Sequence, residues 1–193
     1  RQFWLLAFFL FFWTFSPSFG APFFYYSIDT LKFDPLFFGT VASVGAASAA
    51  IGAVLYGVWA RYINTRNMIK WMIIIGVVAT LFQLVFFLPS ITENPQLARM
   101  IYLGMVGVLG AISSIAFLTM LNAAALACPR WTEGTVFATL TACWNIGLSG
   151  SNILGGFLFS KIGLIPLIIV STIFTALTWV ILPKLKLGDE KVD

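Results

Sequence analysis

An all-α membrane bundle of six transmembrane helices is the fold that this 193-residue sequence predicts, and three observations carry it. Hydrophobic residues make up 60% of the chain and charged residues only 9%, with a mean hydropathy of +0.98. Soluble domains hold roughly 45–50% apolar and about 25% charged residues. Crossing a hydrocarbon layer about 30 Å thick takes about 20 apolar residues at a rise of about 1.5 Å each, and six segments meet that length. The joints between them are short and polar, so no stretch remains for a soluble domain.

The first segment, 2–29, lacks a charged leader and a small-residue cleavage site, so it reads as a spanning helix and not a signal peptide. Its stretch "SPSFGAPFFYYSIDTLKF" interrupts it. Pro17 and Pro22 each lack a backbone donor and crowd the preceding turn, so a kinked or discontinuous helix is expected. Such breaks persist where protein or a water-filled cavity satisfies the freed groups, and in transporters they often mark moving or binding helices. "KFDP" leads into 35–60, with Gly45, Ala49, Ala53 and Gly57 at steps of four. "RYINTRN" precedes 67–89, and "PSITENPQ" precedes 97–127 with Gly104, Gly107, Gly110 and Ser114. "CPRWTEG" opens 133–160, which carries Gly147, Ser151 and Gly155, and "KIG" opens 163–182. Lipid offers no hydrophobic force between helices, so association relies on close approach at small residues, and these stripes predict tight packing. Residues 184–193, "KLKLGDEKVD", form the plainly polar tail.

Charge sets the expected orientation. With both termini cytoplasmic, the inner side collects Arg1, Arg61, Arg66, Lys70, Arg130, Lys184, Lys186 and Lys191, whereas the outer side has Lys32, Arg99 and Lys161. The positive-inside rule chooses that arrangement. Topology thus accounts for the net charge of +4, and no nucleic-acid partner is called for. His is absent and the cysteines are Cys128 and Cys143, which argues against a metal cluster or a disulfide framework. Neither a convergent acid pair nor a nucleotide loop is present, so neither enzyme chemistry nor a cofactor is expected.

Polar residues inside spans are costly unless they face protein or water, which makes them the site candidates. Thr141, Asn145, Ser149 and Asn152 fall along one face at the helical period, as either an interhelical hydrogen-bond seam or a cavity wall. Asn122, near the end of the fourth segment, is a further candidate. Tyr25 and Tyr26 allow two readings, as part of an interfacial aromatic belt or as a ring stacking on a planar solute. Adjacent helical residues point about 100° apart, so at most one of them faces a cavity squarely.

Two blocks resemble a known family. "PSFGAPFFYYSIDTLKFDPLFFGTVASVGAASAAIGAVLYGVWARYINTR" is similar to the first two helices of the C-terminal half of the folate-biopterin transporter family, a branch of the major facilitator superfamily. "CPRWTEGTVFATLTACWNIG" is similar to that family's Cys-Pro, Glu, Thr, Phe-Ala and Asn-x-Gly run. The resemblance implies that the fold is one half of a major facilitator. It implies that Asp29, Phe33, Pro35 and Gly39 shape the outer end of the first helix pair, and it places Cys128, Pro129, Glu133 and Asn145 on the second block. "GVWARYINTRNMIK" stands where the superfamily has its cytoplasmic "G-x-x-x-D-R-x-G-R-K" motif, but Arg61 occupies the place of the acid. A gating ion pair would need another partner, such as Glu133 with Arg61 or Arg66; Glu133 also reads as a helix-start acid favoured by the dipole.

A facilitator has two six-helix halves around a central site, and one half is legible here. The start at "RQFWLL", without an initiator Met, is expected of an incomplete or processed chain. The missing wall would come from a longer chain, a homodimer or separate half, or a larger membrane complex. No carboxylate, Lys or Arg sits at mid-span, so charge recognition and coupling are expected from the other half. The expected activity is transport of a planar amphipathic solute of the folate or pterin class. The alternative is a non-transporting accessory or scaffold subunit that keeps the helical fold.

Overall fold

The computed structural model describes residues 2–60, 62–126 and 133–184, apart from the side chains of Gln2, Leu126, Glu133 and Lys184. Among the described residues every regular element is helical. They are α1 (Gln2–Thr14), α2 (Gly20–Asp29), α3 (Pro35–Trp59), α4 (Thr65–Phe82), a 3-10 stretch (Gln83–Phe87), the single turn α5 (Pro89–Thr92), α6 (Pro95–Leu126), α7 (Glu133–Ile162), α8 (Leu164–Ile181) and a terminal 3-10 turn (Leu182–Lys184). Four are long and apolar enough to cross a membrane: Pro35–Trp59, Thr65–Phe87, Pro95–Ala125 and Leu164–Ile181. At 13 residues α1 is too short to do so alone, and Gly, Ser and Asn dilute the hydropathy of the 30-residue α7.

Local chemistry sets the helix ends. Asp34 caps α3 by accepting from the Leu36 amide at 2.9 Å, with Pro35 at the first position. Asn64 caps α4 by accepting from the Arg66 amide at 2.9 Å, and Asn94 accepts from the Leu97 amide at 3.1 Å at the start of α6. The third expected span, 67–89, is α-helical only to Phe82; it tightens into the 3-10 stretch, and Leu88 is extended ahead of Pro89. Lys32 takes the left-handed conformation (φ 54) in the turn after α2, and its carbonyl accepts from Arg99 Nη2 at 3.1 Å. Gly163, at φ 81, joins α7 to α8 in a conformation that only glycine adopts at no steric cost.

The first segment is discontinuous, and the two prolines contribute unequally. Pro17 lies in the gap between α1 and α2. Pro22 lies in the first turn of α2, where its missing donor would have had no helical partner anyway, so it initiates the helix and does not break it. The freed groups find partners on neighbours. The Ser18 amide donates to the Ser151 carbonyl of α7 at 3.0 Å, and the Ser151 hydroxyl donates to the Ser16 carbonyl. Ser16 Oγ donates to the Ser171 carbonyl of α8 at 3.1 Å, and Thr14 Oγ1 lies 3.1 Å from the Trp144 carbonyl.

Helix α6 packs on α3 and α4, α4 on α8, and α7 on α1 and α8, with α3 on the flank against α6. The expected α3 stripe is shifted. Gly45 meets Val106, Ser48 meets Gly110 and Gly52 lies on Ala111, whereas Gly57 meets nothing and Ala53 is exposed. Steps of four drift by about 40° each on a helix that turns about 100° per residue, so only the set at three and four stays in contact. Two apolar cores close the ends of the bundle. One joins Leu6, Phe9 and Leu10 to Ile69, Ile73, Met120, Ala123 and Leu140. The other joins Phe23, Leu31, Phe33 and Phe86 to Ile91, Ala98, Leu164 and Ile168.

Candidate functional site

Between the two end cores the helices part. A cleft of about 360 Å³ opens among α1, α4, α6 and α7, lined by Trp13, Ile75, Gln83, Ser113, Phe117 and Trp144 among others. The α4 residues from Met72 to Thr80, with Gln83 just beyond that helix, and the stretch of α6 from Leu109 to Phe117 place it at mid-height. A second cleft, of about 160 Å³, lies toward the end of the bundle where α6 finishes and α7 begins, and Leu10, Met120, Leu140, Thr141 and Asn145 line it. Phe117 and Trp144 belong to both clefts, their rings 5.8 Å apart and edge to face at 72°. This aromatic pair is the partition between them.

The larger cleft is apolar with few polar groups. The Thr80 hydroxyl is committed to the Gly76 carbonyl of its own helix at 2.8 Å. Gln83 stands where α4 tightens into the 3-10 stretch, and its Oε1 is shielded from solvent without a hydrogen-bond partner. Sequence reasoning passed over Gln83, although a lone amide within "TLFQLVFF" carries the same signal as Asn122.

The structure separates the sequence candidates. Thr141 and Asn145 line the smaller cleft together, the Thr141 hydroxyl also bonding the Ala138 carbonyl at 2.9 Å. Asn145, Ser149 and Asn152 are exposed along one face of α7, and among the described residues their side chains bond no other helix. The opposite face is sealed: a Cβ on Gly155 would collide with the backbone of Ser18, and one on Gly147 with the Phe11 carbonyl and the Thr14 hydroxyl. Asn122 Nδ2 donates to Thr65 Oγ1 at 3.3 Å, tying α6 to the start of α4. Tyr26 lines neither cleft; its hydroxyl donates to the Phe86 carbonyl at 3.1 Å and its ring stacks on Phe87 at 4.6 Å. Tyr25 is exposed, edge to face with Phe24 at 5.8 Å. Arg66 Nη2 donates to the Pro183 carbonyl at 3.3 Å, beyond the C-terminal end of α8. Arg61, the Glu133 side chain, Cys128 and Pro129 lie outside the described residues.

The family model of the BT1 family matches residues 1–184. The chain belongs to the BT1 family. A folate-biopterin transporter from Synechocystis sp. is 29% identical over 192 residues, covering 95% of this chain and 39% of the relative. Probable folate-biopterin transporter 4 from Arabidopsis thaliana is 26% identical over 153 residues, covering 77% of this chain and 30% of the relative. The BT1-family chain therefore spans well under half the length of these relatives. No solved structure matches it. Membership together with the apolar helices makes it an integral membrane protein of a transporter family.

Proposed function

We propose that this BT1-family chain is one six-helix half of an alternating-access carrier for a planar amphipathic solute of the folate or pterin class. In this reading the broken pair α1–α2 and the diluted α7 span the bilayer beside the four strongly apolar helices. Both termini and the 184–193 tail face the cytoplasm, following the excess of Lys and Arg on that side. The solute class comes from the relatives' names, and the two clefts walled by aromatic and amide groups suit it. Arg61, Arg66 and Glu133 are the cytoplasmic gate candidates, and Tyr25, Tyr26 and Asn122, which line neither cleft, would meet the solute only where a second half completes the cavity.

The open polar face of α7 is the observation that carries the proposal. Asn145, Ser149 and Asn152 are costly toward lipid, and a second half, either another copy or a separate segment, would meet them across a watery interface. Uptake of labelled folic acid and biopterin is the test, in cells expressing the chain alone or with the remaining half of a full-length relative. Uptake is expected only with both halves, and Asn145→Ala and Asn152→Ala each lower it about fivefold, the worth of one hydrogen bond of about 1 kcal/mol. Absence of uptake, with the chain recovered in an unrelated complex that shields position 152, would assign it to the accessory-subunit class instead.

A further inference from the structure

We infer that the end of the bundle where α4 starts and α8 finishes binds the phosphodiester headgroup of an anionic phospholipid, held by Arg66 and Lys70. The inference goes beyond the carrier reading and takes from it only the leaflet, the cytoplasmic one, that supplies the lipid.

Arg66 and Lys70 stand on one face of α4, because residues four apart are neighbours on a helix. Arg66 Nη2 donates to the Pro183 carbonyl past the end of α8 at 3.3 Å, which sets the pair beside the groove between these packed helices. Arg66 Nε is shielded from solvent, so the open part of the guanidinium is Nη1, which bonds nothing among the described residues. Lys70 is half-buried, and its ammonium likewise has no hydrogen bond or ion pair among the described residues. The packed helices offer them no acid, since α3, α4 and α8 contain no Asp or Glu. Like charges four apart repel, and cations near a helix N-terminus oppose its dipole. An anion at this place relieves both.

A phosphodiester fits the donors, because guanidinium and ammonium groups make charge-assisted hydrogen bonds to phosphate oxygens. The surroundings favour a lipid over a soluble phosphate. From Lys70 toward mid-height the outward surfaces of α4 and α8 are apolar and exposed at Ile74, Val78, Ile173 and Leu177, as acyl chains require. Tyr62 and Trp71, to either side of Arg66 in sequence, are exposed too, and such rings settle at the headgroup level. Basic pockets between spanning helices on the cytoplasmic side take anionic headgroups in this way.

Native mass spectrometry of the purified chain, released from micelles doped with equal amounts of phosphatidylglycerol and phosphatidylcholine, reads which lipid stays bound. Micelles have no sides, so the result does not depend on the orientation of the chain or on its being a carrier. Phosphatidylglycerol is expected to be retained at least about tenfold over zwitterionic phosphatidylcholine, with Arg66→Gln and Lys70→Gln each lowering that ratio about fivefold. Lys161→Gln, in the last turn of α7 at the other end of the bundle, should leave it unchanged. If Arg66→Gln fails to fold by circular dichroism and gel filtration, Lys70→Gln and Lys70→Glu carry the test, the Glu variant showing the larger loss.

Equal retention of the two lipids, a ratio unmoved by the Lys70 variants, or a ratio lowered as much by Lys161→Gln overturns the site. Glycerophosphoglycerol, the same headgroup without acyl chains, is the soluble competitor and should displace little of the lipid at equal concentration. Displacement on equal terms overturns the lipid assignment and makes a soluble phosphate ester the ligand.

Discussion

Where α6 crosses α3, Gly52 lies against the backbone of Ala111 and Gly110 against Ser48; where α7 crosses the break between α1 and α2, Gly147, Gly150 and Gly155 lie against Thr14, Phe15 and Ser18. The residue types match, and the forces differ. Among the described residues no hydrogen bond joins α3 to α6, and the Ser48 hydroxyl bonds the Gly45 carbonyl of its own helix at 3.0 Å. At the α7 crossing, by contrast, backbone and hydroxyl groups pass hydrogen bonds between elements. Continuous helices satisfy their own backbones, so dispersion at close range suffices to hold them. A helix broken in lipid has orphan groups, and only a neighbour can satisfy them. Small residues on α7 therefore admit a broken backbone that hydrogen-bonds to them, whereas those on α3 admit the backbone of a continuous helix that already satisfies itself.

Overpacking either crossing should have the largest effect. A Cβ at Gly52 would sit among the Ala111 backbone atoms, with Cα at 2.7 Å, and one at Gly155 would sit 2.7 Å from the Ser18 carbonyl carbon. Neither backbone can step aside, so Gly52→Val and Gly155→Val should each cost about 3 kcal/mol in thermal unfolding of the detergent-solubilised chain. The crossings then separate in their rescue. At Gly110 the nearest obstruction is the Ser48 hydroxyl and the next, the Gly45 carbonyl, stands off at 3.0 Å, so Ser48→Ala should restore part of the loss caused by Gly110→Ala. At Gly147 the Phe11 carbonyl remains 2.7 Å away once Thr14 is trimmed, so Thr14→Ala should not restore Gly147→Ala.

Removing the hydroxyls should have a smaller effect, and it falls on one crossing only. Ser151→Ala deletes the bond to the Ser16 carbonyl and should cost about 1 kcal/mol, within the range measured for interhelical bonds in membranes. Ser48→Ala deletes only a bond within its own helix and should cost less than about 0.5 kcal/mol. Equal losses for the two serines in the same unfolding assay would show that both crossings are held by packing alone.

Legibility in the sequence followed the range of each interaction. The break at Pro17 is readable because a missing donor acts within one turn. Pro22 looks identical in sequence, yet its effect depends on where α2 starts, which the contacts with α7 set. Membrane character, the all-helical class and the family blocks are properties of composition and short motifs, and they are visible at once. The polar face of α7 is readable from its period, but its exposure depends on which side the α1–α2 break occupies. Tyr26 could not be assigned to belt or cavity because its partners, Phe86 and Phe87, arrive 60 residues later in sequence on a 3-10 stretch that sequence reading takes for ordinary helix. Gln83 hides for the same reason: an amide is plain in the sequence, and a shielded, unpartnered oxygen is a product of the fold.

The two faces of α7 extend the comparison to its smallest effect. Ser151 and Gly155 hold the broken helix, so their substitution should register in stability, whereas Asn145 and Asn152 touch no other helix by hydrogen bond. Asn145→Ala and Asn152→Ala should therefore change unfolding by no more than about 0.5 kcal/mol, as expected for exposed positions. In a background with Cys128 and Cys143 replaced, Asn152→Cys should react with a membrane-impermeant thiol reagent when the chain is inserted in liposomes, and a cysteine at Ser151 should not. Reaction at 152 requires water on that face, because a thiol facing acyl chains is not ionised and does not react. A protected cysteine at 152 in the isolated chain would place the asparagine face against lipid. Sealing that becomes complete only on adding a second half would identify the face as the surface where the two halves meet.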